Sequence, residues 1–182
     1  MNYTFEYNSP VGLLTIASDG ASITGLWIKG QKYFADTLEP ENSVAETSAM
    51  DLPVFERVKE WLTAYFSGKN PAFTPPLAPK GSPFRQAVWK ILCAIPYGEV
   101  ITYGDVARMI AKQSGKEKMS AQAVGGAVGH NPISIIIPCH RVVGAHGSLT
   151  GYAGGIKAKT ELLTLEQADM SKLYAPRKGT AL

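Results

Sequence analysis

Four prolines, Pro71, Pro75, Pro76 and Pro79, fall with Gly68 and Gly81 inside the stretch from Ser67 to Ser82. Proline fixes φ and lacks a backbone donor, so neither a helix nor a central strand runs through such a stretch. It is read as an extended connector that divides the 182-residue chain into a first domain, 1–80, a second domain, 81–170, and a tail, 171–182. Each part must then supply its own core.

Before the connector, Tyr3, Phe5 and Tyr7 alternate with polar residues. Leu14 and Ile16, then Ile23 and Trp27, follow turn signals at Asn8-Ser9-Pro10 and Asp19-Gly20. Period-two patterns split by such turns predict a small antiparallel sheet. Residues 30–50 are polar and give a helix or a loop. Val54, Val58, Trp61, Leu62 and Tyr65 then recur at helical spacing and predict an amphipathic helix that closes the domain.

After the connector, Ser82 is placed to cap a helix that opens with Pro83 and carries Phe84, Val88, Trp89 and Leu92 on one face. An aromatic at core spacing is far more often core than a stacking platform, so Trp89 is assigned to packing. A short turn at Gly98-Glu99-Val100-Ile101 leads to Thr102. Thr102 caps a second helix, with Asp105 able to reach back and with Val106, Ala107 and Ile110 facing inward. A polar loop, 113–118, follows, holding Lys116 and Lys118 with Lys112 just before it. Ser120 then caps a third helix of small residues, Ala121, Ala123, Gly125, Gly126, Ala127 and Gly129. Two short helices joined by a polar loop fit a helix-turn-helix. So smooth a second helix is poorly suited to reading bases by hydrogen bonds, but it fits a groove whose sequence does not matter. Tight packing within the domain accounts for the same residues.

That helix ends at Asn131-Pro132. Ile133 to Ile137 is apolar except for Ser134, the pattern of a strand buried on both faces, and Pro138 limits its ladder. Cys139 is expected where this strand leaves the core, directly before His140 and Arg141. A neighbouring imidazole or cation lowers a thiol's pKa towards the reactive thiolate. A free cysteine is also, commonly, just a small buried hydrophobe. The pair alone leaves both readings open.

Charge and composition narrow the class. Residues 1–79 carry 5 Lys and Arg against 9 Asp and Glu, and residues 80–182 carry 13 against 6, so the half containing Cys139 is the basic one. A basic domain suits a polyanion such as nucleic acid, and a solvated lysine-rich surface gives the same count. Cys93 lies in a helical pattern, and two free thiols are expected. With three histidines, all between His130 and His146, and no paired cysteine spacing, no metal site is expected. No apolar stretch approaches the roughly 20 residues of a membrane span, and Met1 to Tyr7 lacks a basic region followed by an apolar one. A cytoplasmic location is expected, nuclear in a eukaryote.

Gly98-Glu99-Val100, Tyr103, Ala123-Val124-Gly125, Asn131-Pro132, Pro138-Cys139-His140-Arg141-Val142-Val143-Gly144 and Gly151-Tyr152-Ala153-Gly154-Gly155 occur in this order. Together, from about Phe84 to Glu166, they resemble the O6-alkylguanine-DNA alkyltransferase family. The resemblance implies an α+β chain: a ribonuclease H-like antiparallel-sheet domain, then a winged-helix-like helical domain with a helix-turn-helix. It also implies a repair protein that flips O6-alkylguanine out of duplex DNA, O4-alkylthymine being the other candidate base. The alkyl group passes irreversibly to Cys139 in a single turnover, without a cofactor. The implied partner is double-stranded DNA with alkylated bases, no membrane is involved, and the protein is expected to be a monomer.

By the same resemblance, Cys139 is the nucleophile, His140 its base through a water, and Glu166 the residue that orients His140. Adjacent side chains in extended backbone point apart, which suits a bridging water. Tyr103 contacts the flipped base and helps protonate the departing guanine. Asn131 is the hinge between recognition helix and active site. The carbonyls of Cys139 and Val142 read the guanine amine, and backbone at Ala153 and Gly154 comes close to the base. Ala121, Gln122, Ala123 and Gly125 meet DNA, while Arg141 and Pro138 support the site. Two positions depart from the family's pattern: Gln122 stands where an arginine finger is usual, and Ala153 where some relatives have serine. A cysteine hydrolase, or a non-enzymatic helix-turn-helix damage sensor, would share part of this constellation. The hydrolase needs an oxyanion hole that the sequence does not identify, and alkyltransferase-like sensors lack the cysteine.

Overall fold

The computed structural model describes residues 2–38, 43–44 and 52–176. Arg177 and Lys178 of the tail, and residues 39–42 and 45–50 of the unplaced polar stretch, lie outside the described residues. The chain forms two compact units, Met1–Lys80 with Pro132–Ile136, and Gly81–Asn131 with Ile137–Leu182.

In the first unit, β1 (Asn2–Ser9), β2 (Gly12–Ser18) and β3 (Ile23–Ile28) make an antiparallel meander, and the two-residue β4 (Ser43–Val44) pairs parallel to β1 at its edge. Register puts Phe5 opposite Ile16 and Ile16 opposite Leu26, so one cross-strand row of buried side chains runs over the sheet. Helix α1 (Pro53–Phe66) buries Val54, Val58, Trp61, Leu62 and Tyr65, the face its spacing predicts, and adds Phe55, whose ring meets Phe5 edge-on at 4.6 Å. The connector is extended. Its one ladder contact is at Leu77, where Ile23 N–H bonds Pro76 O and Ala78 N–H bonds Ile23 O, both at 2.8 Å.

The buried strand expected over Ile133–Ile137 does not form. The segment is buried throughout, but only Ile133 bridges, to Leu26 of β3. Ser134 donates its N–H to Leu26 O and its hydroxyl to Gln31 Oε1. Ile135 then takes φ +72, which a β-branched residue rarely adopts, and the chain turns back on itself through Ile136 N–H to Ser134 O at 2.8 Å. An apolar run signals burial, not a ladder, and here turns and the Asn131 side chain supply the backbone's hydrogen bonds. Cys139 therefore opens a 3₁₀ turn, Cys139–Arg141, instead of ending a strand.

The second unit holds α2 (Pro83–Cys93), α3 (Tyr103–Gln113), α4 (Ala121–Gly129) and α5 (Gly155–Leu165), with a parallel pair β5 (Ile101–Thr102) and β6 (Val142–Val143). Local chemistry sets the helix starts. The side chains of Ser82 and Ser120 accept from the third N–H of α2 and α4, and Thr102 and Asp105 form a reciprocal capping box at α3. Trp89 is in the core and donates its indole N–H to Ala127 O at 2.8 Å, which ties α2 to α4. α3 and α4 make the helix-turn-helix. The described part of the tail is anchored, with Leu149 N–H on Tyr174 O and Tyr174 N–H on Gly147 O.

Candidate active site

The second unit draws Cys139, Asn131, His140, Glu166 and Arg141 into one cluster, from three places in the sequence. Cys139 is 4% exposed, and Asn131, just past the end of α4, donates one amide group to both Cys139 Sγ (3.1 Å) and Ile137 O (2.8 Å). Burial pushes the thiol's pKa up, and the Asn131 bond and the charge of Lys159 only partly offset it. At rest the sulfur keeps its proton. A base must remove it before it can attack.

The next residue carries an imidazole. His140 is fully buried, and its Nε2 lies 2.7 Å from Glu166 Oε1, at the residue that ends α5. Burial lowers the His140 pKa against the opposing pull of Glu166, so the ring is neutral. An Nε2–H donated to a carboxylate leaves the basic lone pair on Nδ1. Burial would raise Glu166, but hydrogen bonds and charge from His140 and Arg141 outweigh it and hold the carboxyl well below the usual range. Arg141 grips both carboxylate oxygens, Nε to Oε2 at 2.8 Å and Nη2 to Oε1 at 3.0 Å, and sends Nη1 to Ile95 O at 2.6 Å. Gly98 N–H donates to Oε2 as well, at 3.2 Å. Gly98 has φ +77, and a Cβ there would lie 2.7 Å from Glu166 O, so only glycine lets the turn close on this residue.

Tyr103, the first residue of α3, donates its hydroxyl to Gly151 O at 2.9 Å and Thr150 O at 3.3 Å, which fastens the glycine-rich loop to the helix. Burial raises its pKa, and negative charge on Cys139 raises it further. Ala153 and Gly154 follow in the half-buried turn that leads into α5. Val142, buried in β6, offers its carbonyl to Lys159 Nζ at 2.5 Å. Sequence reasoning missed Lys159 and gave Gly98 no role of its own. A lysine set between Ala158 and Leu162 on an apolar helix face was the available signal.

On α4 the exposed residues are Ala121, Gln122, Ala123 and Gly126. Gly125, expected to meet DNA, is buried with Val124, Ala127 and Val128, and Gly126 is exposed. A basic groove lined by Arg108, Lys112, Lys116 and Lys118 lies between α3 and the loop before α4. Cys93 and Cys139 are both free thiols. Among the described residues, no three His, Cys, Asp or Glu side chains are grouped to hold a metal, and no helix is long and apolar enough to cross a membrane.

Placing a reactive thiol in the same unit as a helix-turn-helix defines a class: DNA-binding proteins whose chemistry is carried by a cysteine of their own. The chain belongs to the 6-O-methylguanine DNA methyltransferase family, whose DNA binding domain matches residues 83–168 and whose ribonuclease-like domain matches residues 1–79. It is 44% identical over 166 residues to the methylated-DNA--protein-cysteine methyltransferase of Haemophilus influenzae, covering 91% of this chain and 86% of the relative. The protein of the same name from Mycobacterium tuberculosis is 44% identical over 161 residues, 88% of this chain and 90% of its own. The crystal structure of the Mycobacterium tuberculosis O6-methylguanine methyltransferase matches with TM-score 0.75 at 41% identity, covering 98% and 97% of the two chains. The Mycobacterium tuberculosis OGT in complex with DNA matches with TM-score 0.74 at 40% identity, covering 94% of each.

Proposed function

We propose that this chain is a DNA repair protein that takes the alkyl group of O6-alkylguanine onto Cys139, once per molecule. The observation that carries the reading is the buried Asn131–Cys139 contact beside the His140–Glu166 pair, in a chain whose relatives are methylated-DNA--protein-cysteine methyltransferases.

His140, oriented by Glu166, takes the thiol proton through a water. The thiolate attacks the alkyl carbon, the S–C bond forms, and the C–O6 bond breaks with its electron pair going to guanine. Tyr103 supplies a proton to the departing base. Part of its raised pKa comes from charge on Cys139. That part vanishes as the thiolate becomes a thioether, so Tyr103 grows more acidic just as the leaving group gains charge. A thioether has no hydrolytic exit, which makes the transfer final.

Duplex DNA is the partner. The bare outward face of α4 suits a groove read by shape, and the lysines of the α3–α4 loop suit its phosphates. Gln122 is positioned to fill the space a flipped base leaves, and the carbonyls of Cys139 and Val142 and the backbone near Ala153 and Gly154 hold that base. A chromosomal substrate places the protein in the cytoplasm, or in the nucleus of a eukaryote. Intact-mass analysis after incubation with duplex containing O6-methylguanine should show one added methyl per molecule, absent in Cys139→Ala. No added mass, or repeated turnover on a hydrolysable ester, would favour a sensor or a hydrolase instead.

A further inference from the structure

Lys159 takes no part in the steps above, yet it is 0% exposed in the middle of α5. A buried ammonium is costly unless its surroundings hold it. Its Nζ donates to Val142 O at 2.5 Å and Thr150 O at 2.8 Å. Val142 follows the 3₁₀ turn that carries Cys139, and Thr150 also accepts from the Tyr103 hydroxyl. An ammonium has three protons, and two are spent on these carbonyls. Among the described residues no carboxylate forms an ion pair with it: the charge of Glu166 is taken by Arg141 and His140. The charge that steadies Lys159 is that of Cys139 when ionised. Burial lowers Lys159 to about 8, Cys139 opposes that fall, and Lys159 in turn favours the thiolate. Of the other ionisable groups around it, His140 feels its repulsion and Tyr103 shares its carbonyl.

We propose that Lys159 is a positioning residue for alkyl transfer: its ammonium pins the Val142 and Thr150 carbonyls and sets a positive charge against Cys139 that favours the thiolate at the moment of attack. The inference rests on the alkyl-transfer reading. Bond changes are as described there. Lys159 keeps its protons throughout and acts through its field and its grip.

The test is benzyl transfer from free O6-benzylguanine, which needs no DNA, followed across pH for the wild type, Lys159→Met and Lys159→Arg. In Lys159→Met the rate at neutral pH should fall at least about tenfold, the thiolate lost when a thiol rises by about one pH unit, and the rising limb of the pH profile should move to higher pH. Lys159→Arg restores a fixed charge and should keep the wild-type limb. A folded Lys159→Met with unchanged rate and limb, or Lys159→Arg displaced as far as Lys159→Met, overturns the proposal. Should Lys159→Met not fold, the wild type decides. With ¹⁵N-labelled lysine, Lys159 Nζ should still be an ammonium at the neutral pH where wild-type transfer is followed, and a neutral amine there overturns the proposal. Wild-type protein that accepts no benzyl group would instead sink the alkyl-transfer reading.

Discussion

Glu166→Gln removes a charge while keeping the shape, and the structure sets what that should cost. Among the donors to the carboxylate are His140 Nε2, Arg141 Nε, Arg141 Nη2 and Gly98 N. An amide offers one acceptor oxygen, and its NH₂ must face a donor on the other side. Arg141, only 9% exposed, would keep its charge with no counter-charge beside it. Removing one partner of a buried ion pair costs about 3–5 kcal/mol, and the slight exposure of Arg141 places the expectation near 3. With a urea m-value of about 2 kcal/mol/M, the unfolding midpoint should drop by about 1.5 M.

The difference should itself depend on pH. Glu166 is held below its ordinary 4.5, so its stabilisation is complete above 4.5 and is lost as pH falls towards the folded value. His140 is held below 6.5 by burial, so the unfolded chain binds the extra proton first and stability also declines as pH falls below 6.5. The variant keeps the His140 decline and loses the Glu166 one. Urea melts of the two proteins should therefore converge below about pH 4.5. A loss under about 1 kcal/mol at neutral pH, with parallel curves in acid, would refute the claim that Glu166 is a buried anion.

Gln122→Arg should speed repair of duplex DNA more than transfer from free O6-benzylguanine, since an exposed residue on α4 acts on DNA and not on the thiol. Equal effects in the two assays would place position 122 outside base flipping. Gly98→Ala must adopt a left-handed conformation at about 1–2 kcal/mol and crowd the Glu166 carbonyl as well, so a loss above about 2 kcal/mol in urea, with slower benzyl transfer, is expected. A variant as stable and fast as the wild type would show that this turn does not support Glu166.

What could be read from the sequence was local. Ser82, Thr102 with Asp105, and Ser120 cap their helices through bonds spanning a few residues, and the α1 face follows from spacing alone. The segment 133–137 was misread because an apolar run reports burial, while the partners of Ser134 lie more than 100 residues away at Leu26 and Gln31 and the other bonds are turns and the Asn131 side chain. That Gly125 is buried and Gly126 exposed was not legible, because a helix of alanine and glycine has no polar stripe to mark its outward side. The resemblance brought Cys139, His140 and Glu166 together by name. It did not give the Asn131 bond to sulfur or the burial of Lys159 against the Val142 and Thr150 carbonyls, which depend on tertiary approach.

The bareness of the α4 surface has a kinetic side. A protein that reacts once must inspect many undamaged bases for each damaged one, so the time spent per base matters more than the strength of any single grip. Each 1.4 kcal/mol or so by which contacts varied from one base pair to the next would slow some steps about tenfold. On the proposed reading, the exposed Ala121, Ala123 and Gly126 would offer every base pair nearly the same surface. The helix thus gives up the ability to prefer a sequence and gains an even path along the groove.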